Sequence, residues 1–464
     1  MAATTTLEAP QPSATSPAAT SGSAYSEHVN PQWVRLLDLL GMNQRYARCE
    51  AEELHTQDGR IILDFLSGYC VYNAGHNHPA IVAAVRDELV RNGPSMLQSH
   101  IPELAGELAA KLCQRAGGKL NKVYFCSSGS EGVETVIKFS RAFTRREGLL
   151  YARGAFHGLT CGALSLMDNG FWSDGFGKML AGTEAVDFGD LEQLKKHLAT
   201  RKFAALVLEP MQGEGGIRIP TAAYLQGAQE LCRKYGTLFV LDEVQTGLYR
   251  TGKFLAAHHY GVEPDMVVLA KALSGGLIPV GAVLMRDDIY DCVYGSLRRA
   301  IVHTSTYSEN SLAMRAGLAT LQVLEEEQLG PRAEVMGAAV RARLSEVLAP
   351  YEMVREVRGA GFFSGIEFRA PKQLQLRLAF ESFKQINEAM FGQMLVMRMF
   401  REHNILTQIC GNNFLVLKMA PPLNAKQNSL DAFVDAISET MHAVHTSRGF
   451  WSDALTLARR AIKI

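Results

Sequence analysis

The sequence predicts an α/β fold built on a mostly parallel sheet, with ionisable residues delivered to one edge of that sheet. Three observations carry this reading. "AALVL" (204–208), "LFVL" (238–241) and "MVVLA" (266–270) are short continuous apolar runs, the pattern of strands buried on both faces. Between the first two, "AAYLQGAQELCRKYG" has the apolar spacing and closing glycine of a crossover helix. Each run also ends on a charge, Glu209, Asp242 and Lys271 in turn.

A lysine at the end of a buried run needs a reason, because solvated surface lysines are the common case. In open α/β sheets, ligands sit just beyond the carboxyl ends of the strands. Three ionisable residues at three such ends therefore favour one shared site over three separate surface charges. A fourth element supplies an anion site. "KVYF" (122–125) reads as a strand and "SEGVETVIKFSRAFTRR" (130–146) as a helix with Val133, Val136, Ile137 and Ser140 on one face. Ser128, Gly129 and Ser130 lie between them, where backbone N–H groups and the helix dipole suit a phosphate. Ser130 reads as the N-cap, with Val133 standing where a capping-box acid would be. Neither a P-loop nor a G-x-G-x-x-G string is present, which counts against a nucleotide.

Composition bounds the partners. The 464 residues suffice for two domains, and a formal net charge of zero gives nucleic acid no bulk attraction. The apolar stretch "LIPVGAVLM" (277–285) is too short to span a bilayer, so no membrane span is expected. Eight scattered cysteines, with no C-x-x-C pair and no clustered histidines, point to a reducing, cytoplasmic setting and to no metal site. The opening "MAATTTLEAPQPSATSPAATSGS" has no apolar core and no Lys or Arg before Arg35, as expected of a disordered tail over 1–24. A segment over 25–75, a large domain over 76–318 and a small C-terminal domain over 319–464 are expected to follow.

A phosphate cradle, a strand-end carboxylate and a strand-end lysine together suggest pyridoxal 5'-phosphate. Lysine would form the Schiff base with the cofactor aldehyde, and aspartate would pair with the pyridine nitrogen. "SSGSE", "GAFHG" (154–158), "LEPMQGEGG" (208–216), "LDEVQTGLYRTG" (241–252) and "AKALSGGLIPVGA" then make a combination that resembles the class III, fold type I aminotransferases. That group includes ornithine, acetylornithine, 4-aminobutyrate and putrescine aminotransferases, and the resemblance runs from about residue 45 to about residue 440. It implies a fold type I PLP-transferase: a large domain whose mostly parallel sheet carries helices on both faces, plus a smaller α+β C-terminal domain.

The resemblance also implies roles. Lys271 is the Schiff-base lysine and Asp242 the partner of the ring nitrogen. Ser128, Gly129 and Ser130 hold the phosphate, Phe156 stacks on the ring beside His157, Gln245 bonds the phenolic oxygen and Glu209 supports the site from below. Tyr69, in "SGYCVYNAGHNHP" (67–79), and Glu214 belong to the substrate side. "HTSTYSENSLA" (303–313) resembles a segment whose threonine, here Thr306, reaches the phosphate of a neighbouring subunit, which implies a homodimer with shared sites.

This chain departs from the family pattern in three places. Ser308 and Glu309 stand where two glycines are usual, so Glu309 is expected at the substrate mouth or in solvent. Lys418, in "VLKMAPPL" (416–423), replaces an arginine that clamps an α-carboxylate, and a point charge grips more loosely than a fork. On both counts an amine with a distal positive or polar group is expected to outperform an α-amino acid. The third departure is the methionine-rich "FKQINEAMFGQMLVMRMF" (383–400), read as a core helix in preference to a lining for a bulky substrate. The implied reaction moves an amino group from a terminal amine (a diamine, ω-amino acid or larger amine) to an oxo acid such as 2-oxoglutarate. Aminomutases, racemases and decarboxylating enzymes of the same fold and cofactor stay open at this point.

Overall fold

The structure, a computed structural model, describes residues 23–97, 99–447 and 450–451. It divides into two compact units, 1–45 and 46–464. In the first unit, the helices Ser23–His28 and Pro31–Leu40 follow each other. Asn30 caps the second by accepting from Trp33 N at 3.0 Å, and Gly41 closes it at φ 67°, a left-handed value glycine adopts freely. Of the tail expected over 1–24, residues 1–22 lie outside the described residues, while Ser23 and Ala24 open a helix.

The second unit is organised by a seven-stranded sheet. Its spatial order is Lys122–Cys126, Gly281–Met285, Met266–Leu269, Leu238–Asp242, Phe203–Leu208, Gly148–Ala152 and Thr183–Val186. The last five are mutually parallel. Gly281–Met285 runs antiparallel to both of its neighbours, so Lys122–Cys126 points the same way as the parallel five. The carboxyl ends of 122–126, 203–208, 238–242 and 266–269 therefore share one edge. All residues of the three central strands are buried, as the continuous apolar runs predict, because helices cover both faces. The helix Ala222–Tyr235 makes the crossover, and Gly236 at φ 68° ends it.

Two smaller sheets flank this core. Tyr46–Glu50, Glu53–Thr56 and Ile61–Asp64 form a meander that Ile405–Leu406 joins in parallel. Val354–Ala360, Phe363–Phe368, Asn413–Met419 and Ile409–Cys410 form an antiparallel sheet. The methionine-rich stretch is two helices, Leu374–Ile386 and Met390–His403, because Asn387 is extended at φ −161° and ends the first. Phe391, Met394, Leu395 and Met397 are buried in the core, and Phe391 packs edge-on to Phe368 and Phe380 at 5.6 and 5.3 Å. No helix among the described residues is long and apolar enough to cross a membrane.

Candidate active site

The common strand edge opens into a cavity of about 460 Å³. Ser128, Gly129, Ser130, Phe156, His157, Glu209, Asp242, Gln245 and Lys271 all line it. The anion end is the start of the helix Gly129–Thr144, one residue earlier than expected. Its N-cap is Ser128, not Ser130: Ser128 Oγ accepts from Glu131 N at 3.2 Å, and Glu131 Oε2 accepts from Ser127 N at 2.8 Å. The pair is a variant of the capping box, two residues before the expected position, in which the acid reaches the N–H of the residue preceding the cap. Gly129 and Ser130 thus fall in the first turn, whose N–H groups have no helical acceptor. Close packing demands glycine twice here. A Cβ on Gly129 would stand 2.9 Å from Val244 Cγ2, and one on Gly158, at φ +119°, 2.1 Å from Ser130 Oγ.

At the other end, His157 Nδ1 and Asp242 Oδ2 are 2.8 Å apart, and Val244 N donates to Asp242 Oδ1 at 3.0 Å. Burial works to lower the His157 pKa, but the bond to Asp242 and its charge override burial and leave it raised. Glu209 bridges two loops, accepting from Phe156 N at 3.0 Å and Gly213 N at 2.8 Å. Burial pushes its pKa up to about 7. Lys271 follows the strand Met266–Leu269 and begins a 3₁₀ turn at φ +47°, a strained value for a side-chain-bearing residue. Burial lowers its pKa, which favours the neutral, nucleophilic amine.

Tyr69, Glu214 and Lys418, expected on the substrate side, are not among the residues lining this cavity; they form a cluster of their own around Glu214. Lys418 Nζ donates to Glu214 Oε1, Gln245 Nε2 donates to the same oxygen at 3.1 Å, and Gly411 N donates to Oε2 at 2.7 Å. Burial alone would raise the Glu214 pKa, but Lys418 overrides it and leaves it lowered; Lys418 is raised in return, against its own burial. The Tyr69 ring lies 4.7 Å from Lys418 Nζ. Lys418 is therefore held by Glu214 rather than presented to a substrate carboxylate, and the expectation of a free point charge is corrected. Thr306 and Glu309 do not reach this cavity either. They line a second concavity of about 810 Å³, with His303 and Tyr294. The preference for a distal positive group, which rested on Lys418 and Glu309 sharing the mouth, loses its footing in this geometry.

A prediction follows from the ion pair. Glu214→Gln leaves a buried ammonium without its counter-charge, so stability should fall by about 3–5 kcal/mol, read as a lower urea midpoint. Because the folded pKa of Glu214 is depressed, the pair's contribution is present at neutral pH and is lost as acid carries the pH down through that value. The acid unfolding curve of the variant should be correspondingly flatter.

Two supporting residues escaped sequence reasoning. Ser67, Gly68, Tyr69 and Cys70 form a left-handed turn, with φ of 50, 60, 62 and 70°. Asp64 braces it, accepting from Leu66 N and Ser67 N at 2.9 and 2.8 Å, and its other oxygen meets His76 Nε2 at 2.7 Å. Arg250 is fully buried without a carboxylate partner in its hydrogen-bond set. It bonds the carbonyls of Phe362 and Pro421 and Asn73 Oδ1, the last at 2.6 Å, joining segments far apart in the chain. An aspartate closing "IILD" was the only visible hint of the first; nothing in the string marked the second.

Comparison with known proteins fits this geometry. Residues 42–441 match the family described as aminotransferase class-III. The chain is 35% identical to the aminotransferase PigE of a Serratia species over 453 residues, covering 91% of this chain and 53% of that protein. It thus spans about half the length of that curated relative. An ornithine aminotransferase from Toxoplasma gondii, described with partial occupancy of PLP at the active site, superposes with a TM-score of 0.79 at 26% identity, over 93% of this chain and all of that one. The ornithine δ-aminotransferase of Plasmodium falciparum gives 0.71 at 30%, over 86% and 93% of the two chains.

The chain belongs to the class III aminotransferases, pyridoxal-phosphate enzymes of fold type I. The residues present fit that cofactor. A helix start with free N–H groups suits its phosphate, and a buried carboxylate suits its ring nitrogen. Gln245 Oε1 and His157 Nε2 are buried without a hydrogen-bond partner, so the cavity retains polar capacity. Lys271 is the lysine among the described residues that line it.

Proposed function

We propose that this chain transfers the amino group of a terminal primary amine to an oxo acid, with 2-oxoglutarate as the acceptor. The observation that carries the reading is the convergence on one cavity of a lysine with lowered pKa, a carboxylate–imidazole pair and a helix N-terminus. A primary amine RCH₂NH₂ and an oxo acid give the aldehyde RCHO and an amino acid. The amine carbon is oxidised by the two electrons that the oxo carbon gains.

Bound pyridoxal phosphate supplies a carbonyl to receive the amine and a protonated ring to draw off electron density. Lys271 Nζ, favoured in its neutral form, takes the proton from the amine-bearing carbon of the substrate. Asp242 would hold a proton on the ring nitrogen, and His157, 2.8 Å away, fixes the orientation of Asp242. Phe156 would cover one face of the ring, with Glu209 bracing its main chain. Gly129 and Ser130 would hold the phosphate through N–H groups, Ser128 shapes that turn, and Gln245 would bond the phenolic oxygen. Tyr69, Glu214 and Lys418 shape the substrate side.

The test is a half-reaction. Glutamate should convert the purified yellow holoenzyme to its colourless amine-carrying form, and 2-oxoglutarate should restore the colour. Persistence of the yellow spectrum with glutamate would contradict the acceptor.

The proposal includes a homodimer in which Thr306 serves the partner's site. Supporting it, Thr306 lies outside its own chain's cavity, and Leu297, Ile301 and Tyr307 nearby are 97%, 80% and 63% exposed. Such an apolar surface suits a subunit contact. Mixing Lys271→Ala chains with Thr306→Arg chains should rebuild one intact site per heterodimer and recover a substantial share of activity. Heterodimers confirmed by mass but inactive would show that each site is built from one chain. A reducing, cytoplasmic compartment completes the reading, in keeping with eight free cysteines.

A further inference from the structure

The loop that carries Thr306 is tied to the helix that carries the phosphate cradle. The tie is His303, which packs on the helix Gly129–Thr144. Thr135 Oγ1 donates its hydrogen to the Glu131 carbonyl at 2.9 Å, so its oxygen accepts, and His303 Nε2 is the donor 3.0 Å away. His303 Nδ1 is thereby left as an acceptor, and Lys138 Nζ donates to it at 2.7 Å. One neutral tautomer satisfies both bonds. Burial and the Lys138 charge keep the ring in that form by lowering its pKa to about 4.

The ring is gripped from its flanks as well. The Tyr124 and Phe139 rings lie 4.5 and 5.3 Å from it, and Tyr294 Oη donates to the His303 carbonyl at 2.6 Å. At the far end of the loop Asn310 caps the helix Ser311–Glu326, accepting from Ala313 N at 2.9 Å while its amide donates to the Tyr307 carbonyl at 2.7 Å. Thr306 lies between these two anchors. About 9 Å of rigid helix separates Gly129, at the cradle, from Thr135, at the tie.

We infer that His303 is a positioning residue, which locks the Thr306 loop to the helix of its own chain and so serves the cofactor phosphate held by the partner chain. This rests on the shared-site reading above and deepens it by naming what fixes Thr306. Packing alone leaves a ring free to slide along a helix, whereas two directed bonds to Thr135 and Lys138 set one register. The same helix begins at the chain's own cradle, so a merely structural role would show as a defect in the chain that carries the substitution. A positioning role shows in the other chain.

The experiment reads each chain separately. Differently tagged chains are co-expressed, and the heterodimer of one parent chain with one His303→Phe chain is isolated through both tags. Phenylalanine keeps a ring in place and removes both bonds. After equilibration over a series of pyridoxal phosphate concentrations, borohydride reduction and mass analysis give the pyridoxyl occupancy of Lys271 in each chain. The parent chain should need about tenfold to thirtyfold more cofactor for half occupancy, while the variant chain stays within about threefold of the parent homodimer. His303→Gln, which can donate and accept at once, should recover most of the loss. Lys138→Met removes only the donor to Nδ1, at an exposed position, and should give the same asymmetry at about threefold to tenfold, so it decides the matter even where His303→Phe fails to fold.

Occupancy lost from the chain that carries the variant, or unchanged in both chains, would overturn the inference. A Thr306→Ala chain run in the same way separates this from the reading beneath it. If Thr306→Ala weakens cofactor binding in its partner while neither His303→Phe nor Lys138→Met does, the shared site stands and the inference falls. If Thr306→Ala leaves the partner's occupancy unchanged, or no heterodimer is recovered through the two tags, both fall.

Discussion

Lys271→Ala is expected to bind pyridoxal phosphate without covalent attachment and to turn over about 10⁴-fold more slowly than the parent, or worse. The size of the effect comes from two losses at one atom. The side chain is both the point of attachment and the group that moves the proton at the substrate carbon. No neighbour can stand in for it: Lys418 Nζ is committed to Glu214, and its pKa is raised, not lowered. Lys271→Arg should not restore activity, because a guanidinium stays charged and cannot act as a base. Absorbance spectra report the attachment and single-turnover rates the proton step. A variant within tenfold of the parent would remove Lys271 from both roles.

Asp242→Asn is expected to keep the fold and the cofactor while lowering the single-turnover rate by about 10²–10³-fold. The amide occupies the same volume but carries no charge, so the proton on the ring nitrogen is no longer stabilised. A second consequence follows at His157. Its pKa is raised because the bond to Asp242 and its charge, with a smaller contribution from Glu209, outweigh burial. With that charge gone, burial is opposed only by the more weakly acting Glu209 and the imidazole should titrate lower. In the parent, the charged imidazole contributes stability at pH below its unfolded pKa, and that contribution fades as pH rises through the folded value. The variant should lose this dependence. Nitrogen-15 NMR of His157 measures the shift directly, and an unchanged titration alongside a lost rate would mean that Asp242 acts without His157.

The central sheet was legible because its strands are buried on both faces and write themselves as unbroken apolar runs. Leu206, Val240 and Val268 are all fully buried, and the charges that follow them mark the edge where ligands bind. The antiparallel strand Gly281–Met285 hid inside "LIPVGAVLM", a run that looks the same whichever way the strand points. Two local errors have local causes. The cap at Ser128, with Glu131 behind it, was not legible because Ser130, on the other side of Gly129, is an equally good N-cap by residue type. The break at Asn387 interrupts an apolar pattern that periodicity alone reads as continuous. What the sequence could not disclose is pairing at long range. Glu214 and Lys418 lie 204 positions apart, and each alone reads as a substrate contact. Brought together they form one buried ion pair, which neither string alone discloses.

The central claim is that Lys271 is the covalent anchor and proton carrier of an aminotransferase site assembled at the carboxyl edge of the sheet. Borohydride reduction of the holoenzyme, followed by proteolysis and mass mapping of the pyridoxyl group, tests it most directly. The account predicts one label per chain, on the peptide that carries Lys271. A label on the Lys418 peptide, or on any other lysine in place of Lys271, would contradict it.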